Sequence, residues 1–165
     1  MNEKIVIVNK KDEVIGYKDR ELAEKDIYRV SALWIKNSKN EFLLARRAYT
    51  KSHSPGKWGP AVAGTVEKGE TYKKNMIKEV KEELGLESLN LVKGPKLYHE
   101  KEHRYFVQWF LLVIDREISK FRFDKKEVAE IKWFSKKEFL NQINSNPEEF
   151  IPSIEGYSHL FQDEI

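Results

Sequence analysis

Short apolar runs separated by polar turns dominate the chain, and their spacing predicts a β-rich fold. The run at residues 104–114 is almost entirely apolar, which favours a strand buried on both faces of a sheet. Residues 5–8 and 14–17 flank a polar turn and predict an N-terminal hairpin. Further strands are predicted at residues 28–36, 41–46, 61–64, 89–98 (interrupted by Gly94-Pro95) and 128–134.

Two of these strands alternate clearly enough to predict which side chains share a face. In residues 28–36, one face carries Ala32, Trp34 and Lys36, and the other carries Ser31, Leu33 and Ile35. In residues 128–134, a period of two places Val128, Glu130, Lys132 and Phe134 opposite Ala129, Ile131 and Trp133. The strand tryptophans Trp34, Trp109 and Trp133 are expected in the core.

One predicted helix, residues 71–84, carries an unusual distribution of charge. At about 100° per residue, the apolar sector contains Met76, Ile77, Val80 and Leu84, and Gly85 ends the helix. A second sector contains Glu79, Glu82 and Glu83, so like charges stand four residues apart. Each such pair costs about a few tenths of a kcal/mol on an ordinary surface helix. The cluster therefore indicates a bound cation, and a hard divalent ion is the natural candidate.

Connectors and a second helix complete the chain. The charged residues 19–25 predict one or two helical turns, and the Pro-Gly and Gly-Pro pairs within residues 47–60 predict a loop. Ser135 and Glu138 form a capping box that begins a helix through residue 143, before a short helical tail containing Pro147 and Pro152.

No repeat, low-complexity linker or break in composition divides the sequence. Residues 1–165 are therefore predicted to form one α/β domain, a mixed sheet with helices on both faces. Residues 1–27 would be an N-terminal hairpin extension of this domain, and residues 135–165 its C-terminal helical tail.

The composition limits the class of protein without identifying it. The chain is 40% hydrophobic and 35% charged with a net charge of +3, which predicts a folded domain and gives little reason to expect nucleic-acid or membrane partners. Because there is no cysteine, disulfides, zinc–thiolate sites and a cysteine nucleophile are excluded. The apolar run at the N-terminus is too short for a signal peptide, so we expect a cytoplasmic protein.

The acidic helix belongs to a longer pattern of fixed spacing. Gly64 is followed after five residues by Glu70, and after seven more by the segment Lys78-Glu79-Val80-Lys81-Glu82-Glu83-Leu84-Gly85-Leu86. This resembles the signature of the Nudix hydrolase family, G-x5-E-x7-R-E-U-x-E-E-x-G-U, in which U is aliphatic. Every fixed position matches except the arginine, which is Lys78. The resemblance implies a Nudix-fold α/β/α sandwich with a mixed sheet.

The resemblance also implies a role for each residue of the pattern. Glu79 and Glu83 would be the principal ligands of Mg²⁺, or of Mn²⁺, with the Gly64 carbonyl as an additional ligand. Glu82 would be a further ligand or the base, and water activation would fall to Glu82 or Glu79. Glu70 would be structural and held by Lys78, which keeps the positive charge of arginine but lacks its planar fork.

A further acid from outside the pattern is often recruited in this family. We expect Glu127 to supply it, with Glu100 or Glu102 as the next candidates. For each of the three, a solvated charge is the alternative interpretation.

The loop before the helix is basic and contains Arg46, Arg47, Lys51, Lys57 and Trp58. Cations beside a metal site are what a diphosphate group requires. The arginine pair, the lysine four residues later and the Pro-Gly-x-Trp segment resemble the isopentenyl-diphosphate isomerase branch of the superfamily. That resemblance implies that Arg47 and Lys51 bind diphosphate, with Arg46 and Trp58 as further candidates; packing beneath the loop is an equal alternative for Trp58.

The isomerase chemistry does not carry over to this chain. Where that branch has Cys-Gly-His, this sequence has Ala63-Gly64-Thr65, and the histidine expected before Arg29 is Tyr28. Protonating an alkene requires a positioned acid, which an alanine cannot supply. The three glutamates of the hydrolase pattern are all present, so the sequence favours hydrolysis.

Other residues near the pattern are weaker candidates. His99 and His103 have i,i+4 spacing but no helical pattern, so a metal site there is a minor alternative to lining the mouth of a pocket. Tyr49 and Tyr98, like Trp58, either contact substrate or pack.

The sequence as a whole predicts a metal-dependent pyrophosphohydrolase. Its substrate would be a small-molecule diphosphate, a nucleoside diphosphate linked to a further group, and the protein would be a monomer or a homodimer. Two other classes remain open. An isomerase of isopentenyl diphosphate is disfavoured by Ala63, and a non-catalytic Nudix-fold binding module is compatible with the fold alone.

Overall fold

A computed structural model describes residues 3–154 of the chain. Within this range the strands are β1 (Lys4–Val8), β2 (Val14–Asp19), β3 (Ile27–Lys36), β4 (Glu41–Arg47), β5 (Trp58–Pro60), β6 (Val62–Thr65), β7 (Val92–Glu100), β8 (Arg104–Val113) and β9 (Val128–Ser135). The α-helices are α1 (Tyr72–Leu84) and α2 (Lys136–Ser145), and single 3-10 turns lie at Arg20–Leu22, Ile118–Lys120 and Pro147–Glu149.

Strand β3 is the centre of the sheet. It runs parallel to β8 along its whole length, and it pairs antiparallel with β1, β6 and β4 at successive points on its other edge. Strand β7 extends the sheet beyond β8, and β4 pairs with both β5 and β9. The sheet is therefore mixed, as predicted, because β3 and β8 are parallel and the other pairs are antiparallel.

The two helices pack on opposite faces of this sheet. Helix α1 buries Met76, Val80 and Leu84 in one core cluster, together with Leu33 and Ile35 of β3. On the other face, the second cluster joins Phe139 and Ile143 of α2 to Ala32, Trp34 and Trp109. The α/β/α sandwich and the predicted two faces of β3 are thus confirmed.

Two predictions from periodicity are wrong in detail. Ile77 was placed in the apolar sector of α1, but it is 51% exposed, whereas Asn75, on the sector of the glutamates, is buried. Val128 was placed on the face of Phe134, yet it lies in the core cluster of α1 with Ile131. The cause is a β-bulge: Arg46 pairs with Glu130 and Arg47 with Val128, so Ala129 is an extra residue and the alternation changes phase.

The predicted loop at residues 47–60 is also too long. Its last three residues form β5, an edge strand paired with β4. Gly59 and Pro60 are tolerated because Pro60 is the last residue of a short edge strand, where its missing N–H removes no required hydrogen bond.

The hairpin at the N-terminus is confirmed as β1 and β2, and it is part of the same sheet through the pairing of β1 with β3. The connector forms one 3-10 turn, and α2 begins at the predicted capping box, where Ser135 accepts the Glu138 N–H. Of the predicted C-terminal tail, residues 155–165 lie outside the described range. No helix of the described part of the chain is long and apolar enough to cross a membrane.

Candidate active site

The glycine loop and α1 are positioned by β3. Strand β6 lies beside β3 with Gly64 opposite Ser31, and the following Val66 N–H donates to the Arg29 carbonyl at 2.9 Å. Thr71 caps α1 by accepting the Lys74 N–H at 3.2 Å. Gly85 ends the helix in the left-handed region, at φ 65°, with its N–H bonded to the Lys81 carbonyl. Both ends of the helix are therefore capped, and Gly85 ends it as predicted.

Gly64 lies directly against the acidic face of α1. A Cβ atom built on Gly64 would lie 2.4 Å from both Cγ and Cδ of Glu79. No side chain fits at this distance, so the glycine is required by the approach of Glu79. The first residue of the pattern and its first helical glutamate therefore meet directly in space.

Lys78 holds the carboxylates at the start of the pattern. Its Nζ lies 2.7 Å from Glu67, 2.8 Å from Glu70 and 3.7 Å from Glu79. Burial opposes ionisation of Glu70, but Lys78, the Glu67 N–H and Asn75 outweigh it and hold the pKa of Glu70 below its usual value. A lysine thus reaches the glutamate that the motif arginine would hold, and it bridges to Glu67 as well.

Asn75 and Ser31 are part of this arrangement, and the sequence analysis missed both. The Asn75 amide is fully buried and donates to the Thr65 carbonyl (3.1 Å), Glu70 (2.9 Å) and Glu79 (3.3 Å). Its oxygen accepts a short hydrogen bond from the Ser31 hydroxyl. The one available signal was an asparagine four positions before Glu79, on the helix sector that carries the three glutamates.

The three glutamates of α1 are Glu79, Glu82 and Glu83, and the two that pack against the protein, Glu79 and Glu83, have raised pKa values. Burial raises the pKa of Glu79 to about 7; Lys78 opposes this shift, and Glu82, Glu67 and Glu70 add to it. Burial also raises the pKa of Glu83 to about 8, reinforced by Glu79 and Glu127 and opposed by Lys51 and Arg47. Glu82 itself is exposed. Carboxylates that are hard to ionise together form a site that a cation stabilises.

Arg47, Lys51 and Glu127 lie beside Glu83. The Lys51 ammonium contacts the Glu127 carboxylate at 2.5 Å, and the Ala48 N–H donates to the Glu127 carbonyl. Arg47 donates from Nε to the His53 carbonyl at 2.9 Å. Burial lowers the pKa of the Arg47 guanidinium, against the opposing charges of Glu83 and Glu127. The basic loop therefore brings two cations to the acidic helix, and the residue just before β9 brings one additional acid.

Arg46 and Trp58 are on the other side of β4. Arg46 forms an ion pair with Glu149, and its guanidinium lies 5.0 Å above the Trp58 ring. Trp58 is 5% exposed and packs edge-on against Phe134 at 5.1 Å. Tyr49 is exposed and receives a hydrogen bond from Arg46. These contacts support packing for Trp58 and anchoring of the C-terminal segment for Arg46.

The weaker candidates are dispersed. Glu100 lies 3.8 Å from Lys10 of the N-terminal turn, and Glu102 is exposed in the turn after β7. His99 stacks on Tyr105, whereas His103 meets His53 edge to face, with ring centroids 5.7 Å apart. The two histidines therefore make separate contacts, and Glu127 is the acid outside the pattern that comes near Glu83.

The donor set fits a hard divalent cation in its chemistry. All of the expected ligands are oxygens, from Glu79, Glu82, Glu83, Glu127 and the Gly64 backbone. Burial, reinforced by neighbouring carboxylates, raises the pKa values of Glu79 and Glu83. In their present side-chain positions, residues 3–154 contain no group of three acidic or imidazole side chains close enough to hold a metal ion.

The fold and the site together define an α/β/α sandwich in which a glycine loop, a crowded acidic helix and a basic loop adjoin. Within this class the family can be named. The NUDIX domain family matches residues 26–154, and the chain belongs to it.

Relatives and solved structures agree with this assignment. An uncharacterized Nudix hydrolase of Listeria monocytogenes is 30% identical over 88% of this chain and 86% of its own. The crystal structure of DR0079 from Deinococcus radiodurans has the same fold, with a TM-score of 0.83, 24% identity and coverage of 97% of this chain and 98% of that one.

Two named relatives are more distant. An isopentenyl-diphosphate Delta-isomerase of an Enterobacter strain is 23% identical over 92% of this chain and 87% of its own. A prenyl-diphosphate phosphatase of Methanosarcina mazei is 26% identical over 94% of both chains. The resemblance to the isomerase branch is thus confirmed, in a chain that lacks cysteine.

Gly64→Ala is expected to displace the Glu79 side chain, because the new methyl group would overlap its Cγ and Cδ. Hydrolytic turnover should fall by about a hundredfold, the cost of misplacing a reacting group by roughly 1 Å. Steady-state kinetics with Mg²⁺ would measure the loss. Gly16→Ala is the matched control, since a Cβ there meets nothing within 4 Å. Equal turnover in both variants would contradict the role of Gly64.

Lys78→Met is expected to lower the free energy of unfolding by about 1–2 kcal/mol, because Glu67 and Glu70 lose their shared partner. Lys78→Arg should retain stability and activity, since the guanidinium reaches the same carboxylates. Urea denaturation would measure both variants. Lys81→Met is the control, because Lys81 pairs only with the exposed Glu87 in the described contacts. Comparable losses for positions 78 and 81 would contradict the bracing role.

Glu83→Gln is expected to change how stability depends on pH. The pKa of Glu83 is about 8 in the folded protein and near 4.5 when unfolded, so its favourable contribution is complete below pH 4.5 and is lost as pH rises towards 8. With metal removed by chelator, the variant should therefore gain in melting temperature over the wild type between pH 5 and pH 8. A constant difference across this range would contradict the buried charge.

Proposed function

We propose that this chain is a divalent-metal-dependent pyrophosphohydrolase that cleaves a phosphate anhydride in a small molecule. The observation that carries the proposal is the crowding of Glu79 and Glu83, whose pKa values are raised, beside Arg47 and Lys51. Placing like charges together in a partly buried position does not stabilise a surface helix. Catalysis on a polyanionic substrate, in contrast, requires cations, and these carboxylates could hold them beside the basic loop. The favoured substrate is a nucleoside diphosphate linked to a further group.

In this proposal, separate groups of residues bind the diphosphate and the metal ion. Arg47 and Lys51 bind oxygens of the diphosphate, and Lys51 exchanges its contact with Glu127 for one with the substrate. Glu79, Glu83, Glu127 and the Gly64 carbonyl would hold Mg²⁺ or Mn²⁺, with Glu82 as a further ligand. Such an ion, when bound, neutralises phosphate charge and lowers the pKa of bound water.

Glu82 is our first choice for the group that takes the proton from the attacking water. It is exposed on the helix face shared with Glu79 and Glu83, so its carboxylate can reach water and substrate without leaving a buried contact. Glu79 is less suited, because Gly64, Asn75 and Lys78 already surround its carboxylate.

A diphosphate ester of an apolar alcohol is a second candidate substrate. Ala63 is exposed and lies on the face of the sheet opposite Gly64 and α1, together with the half-buried Val30 and Tyr105. This apolar surface adjoins the glycine loop, and the relative named as a prenyl-diphosphate phosphatase supports the same class. An isomerase remains disfavoured, since Ala63 supplies no proton donor.

A substrate panel tests the proposal. Purified protein with Mg²⁺ or Mn²⁺ would be incubated with nucleoside diphosphates and triphosphates, nucleotide sugars and prenyl diphosphates, with release of phosphate or nucleotide measured. Turnover of nucleotide-linked diphosphates alone would support the first candidate, and turnover of prenyl diphosphates alone the second. Release from none of them would overturn the proposed function and leave a binding module.

Glu82→Gln and Glu83→Gln should each reduce kcat by about a hundredfold or more, because one loses the base and the other a metal ligand. The measurement is kcat on the best substrate of the panel at saturating Mg²⁺. Glu87→Gln is the matched control, an exposed acid just beyond the helix that pairs with Lys81. Unchanged rates in the first two variants would remove these roles from Glu82 and Glu83.

A further inference from the structure

The tip of the N-terminal hairpin inserts a charged side chain into the protein. Asp12, in the turn between β1 and β2, has a φ of 61° and a side chain only 6% exposed. Its turn is closed by Asn9, whose side-chain oxygen accepts the N–H groups of Lys11 and Glu13. A left-handed residue with a buried carboxylate is costly, so its surroundings must favour it.

Three side chains from three other elements contact the Asp12 carboxylate. Arg29 of β3 donates at 2.7 Å, Lys96 of β7 at 2.6 Å, and the Tyr72 hydroxyl of α1 lies 3.0 Å from both oxygens. Arg29 also donates to the Asp12 carbonyl at 2.6 Å. Burial alone would raise the pKa of Asp12, but Lys96, Arg29 and Tyr72 lower it below its usual value.

Tyr72 connects this cluster to the candidate active site. It is the first residue of α1, next to the capping Thr71, and Glu79 follows about two helical turns later. The Tyr72 ring lies beneath two cations, with Arg29 at 5.0 Å and Lys96 at 5.9 Å from its centroid. The Asp12 carboxylate therefore contacts α1 at its first residue.

The same hairpin also supports the loop that precedes α1. The Val6 N–H donates to the Val66 carbonyl at 3.0 Å, and the Lys68 N–H donates to the Lys4 carbonyl at 2.8 Å. Strand β1 thus continues the sheet along residues 66–68, between Gly64 and the helix. This hairpin lies outside residues 26–154, the part matched by the Nudix family.

We propose that Asp12 is a positioning residue for the candidate active site, which holds Tyr72 and the start of α1 so that Glu79 meets Gly64. The alternative is that the cluster only stabilises the fold. The two roles predict different effects of removing the Asp12 carboxylate. If the cluster only stabilises the fold, the loss lowers the melting temperature alone. If Asp12 is a positioning residue, the loss also changes turnover and local opening at temperatures where the protein is fully folded.

The test compares Asp12→Asn with Tyr72→Phe, which removes only the hydroxyl that Asp12 contacts. Both should reduce kcat by about tenfold with KM changed less than twofold, because Arg47 and Lys51 lie on a separate loop. The double variant should be no slower than the slower single variant, since both remove one interaction. Glu13→Gln is the matched control, a neighbouring acid whose contact is with Asn9, and it should retain wild-type kcat.

Hydrogen exchange supplies a readout that does not depend on activity. In the metal-free protein, amides of residues 75–79 should exchange about tenfold faster in Asp12→Asn than in the wild type, while amides of α2 are unchanged. Because the kinetic arm rests on the proposed function, a wild type without activity would overturn that function, and the exchange arm would still decide the role of Asp12.

Three outcomes would overturn the proposal. The first is unchanged kcat and exchange in Asp12→Asn despite a lower melting temperature, which leaves a purely stabilising role. The second is uniformly faster exchange in α1 and α2. The third is additive loss of kcat in the double variant, which would mean that Asp12 and Tyr72 act separately.

Discussion

The close approach of Glu79 to Gly64 is the contact on which the candidate active site depends. It brings the acidic face of α1 against β6, and no residue with a side chain leaves room for it. The approach buries one carboxylate and places others near it, which is unfavourable in a medium of low polarity. Lys78 and Asn75 offset part of this cost by contacting Glu70 and Glu79. The pKa values of Glu79 and Glu83 are still raised, so a bound cation would stabilise the ionised carboxylates.

Two peripheral segments hold the parts that meet at this contact. The N-terminal hairpin pairs with residues 66–68 and reaches the start of α1 through Asp12. At the other end, the C-terminal segment supports the basic loop: the Ile151 N–H donates to the Trp58 carbonyl at 2.9 Å, and Glu149 pairs with Arg46. Each end of the described chain therefore supports one loop, the hairpin the loop before α1 and the C-terminal segment the basic loop. The acids and cations of the candidate site are held in place by this support.

The bulge in β9 has a consequence for the same region. By inserting Ala129, it turns Val128 into the core beneath α1 while the preceding Glu127 remains exposed beside Lys51. Without the extra residue, strict alternation would place Val128 with Phe134 on the face of α2. An irregularity in one strand thus sets the position of the acid that we expect to complete the metal site.

The local parts of this protein follow from its sequence. Periodicity and capping residues predicted both α-helices, the N-terminal hairpin and the two faces of β3, because these depend on neighbouring residues and on burial of one face. The fixed spacing from Gly64 to Leu86 identified the family, since the pattern itself requires a glycine at the approach and acids on one helix face. The tertiary structure alone decided which distant groups complete the site. Asp12 contacts Tyr72 across 60 positions, and Ser31 contacts Asn75 across 44. Glu127 and Lys51 were both candidates from the sequence, but their contact across 76 positions was not predicted. These pairs form because the strands and helices pack together, and local sequence patterns do not specify that packing.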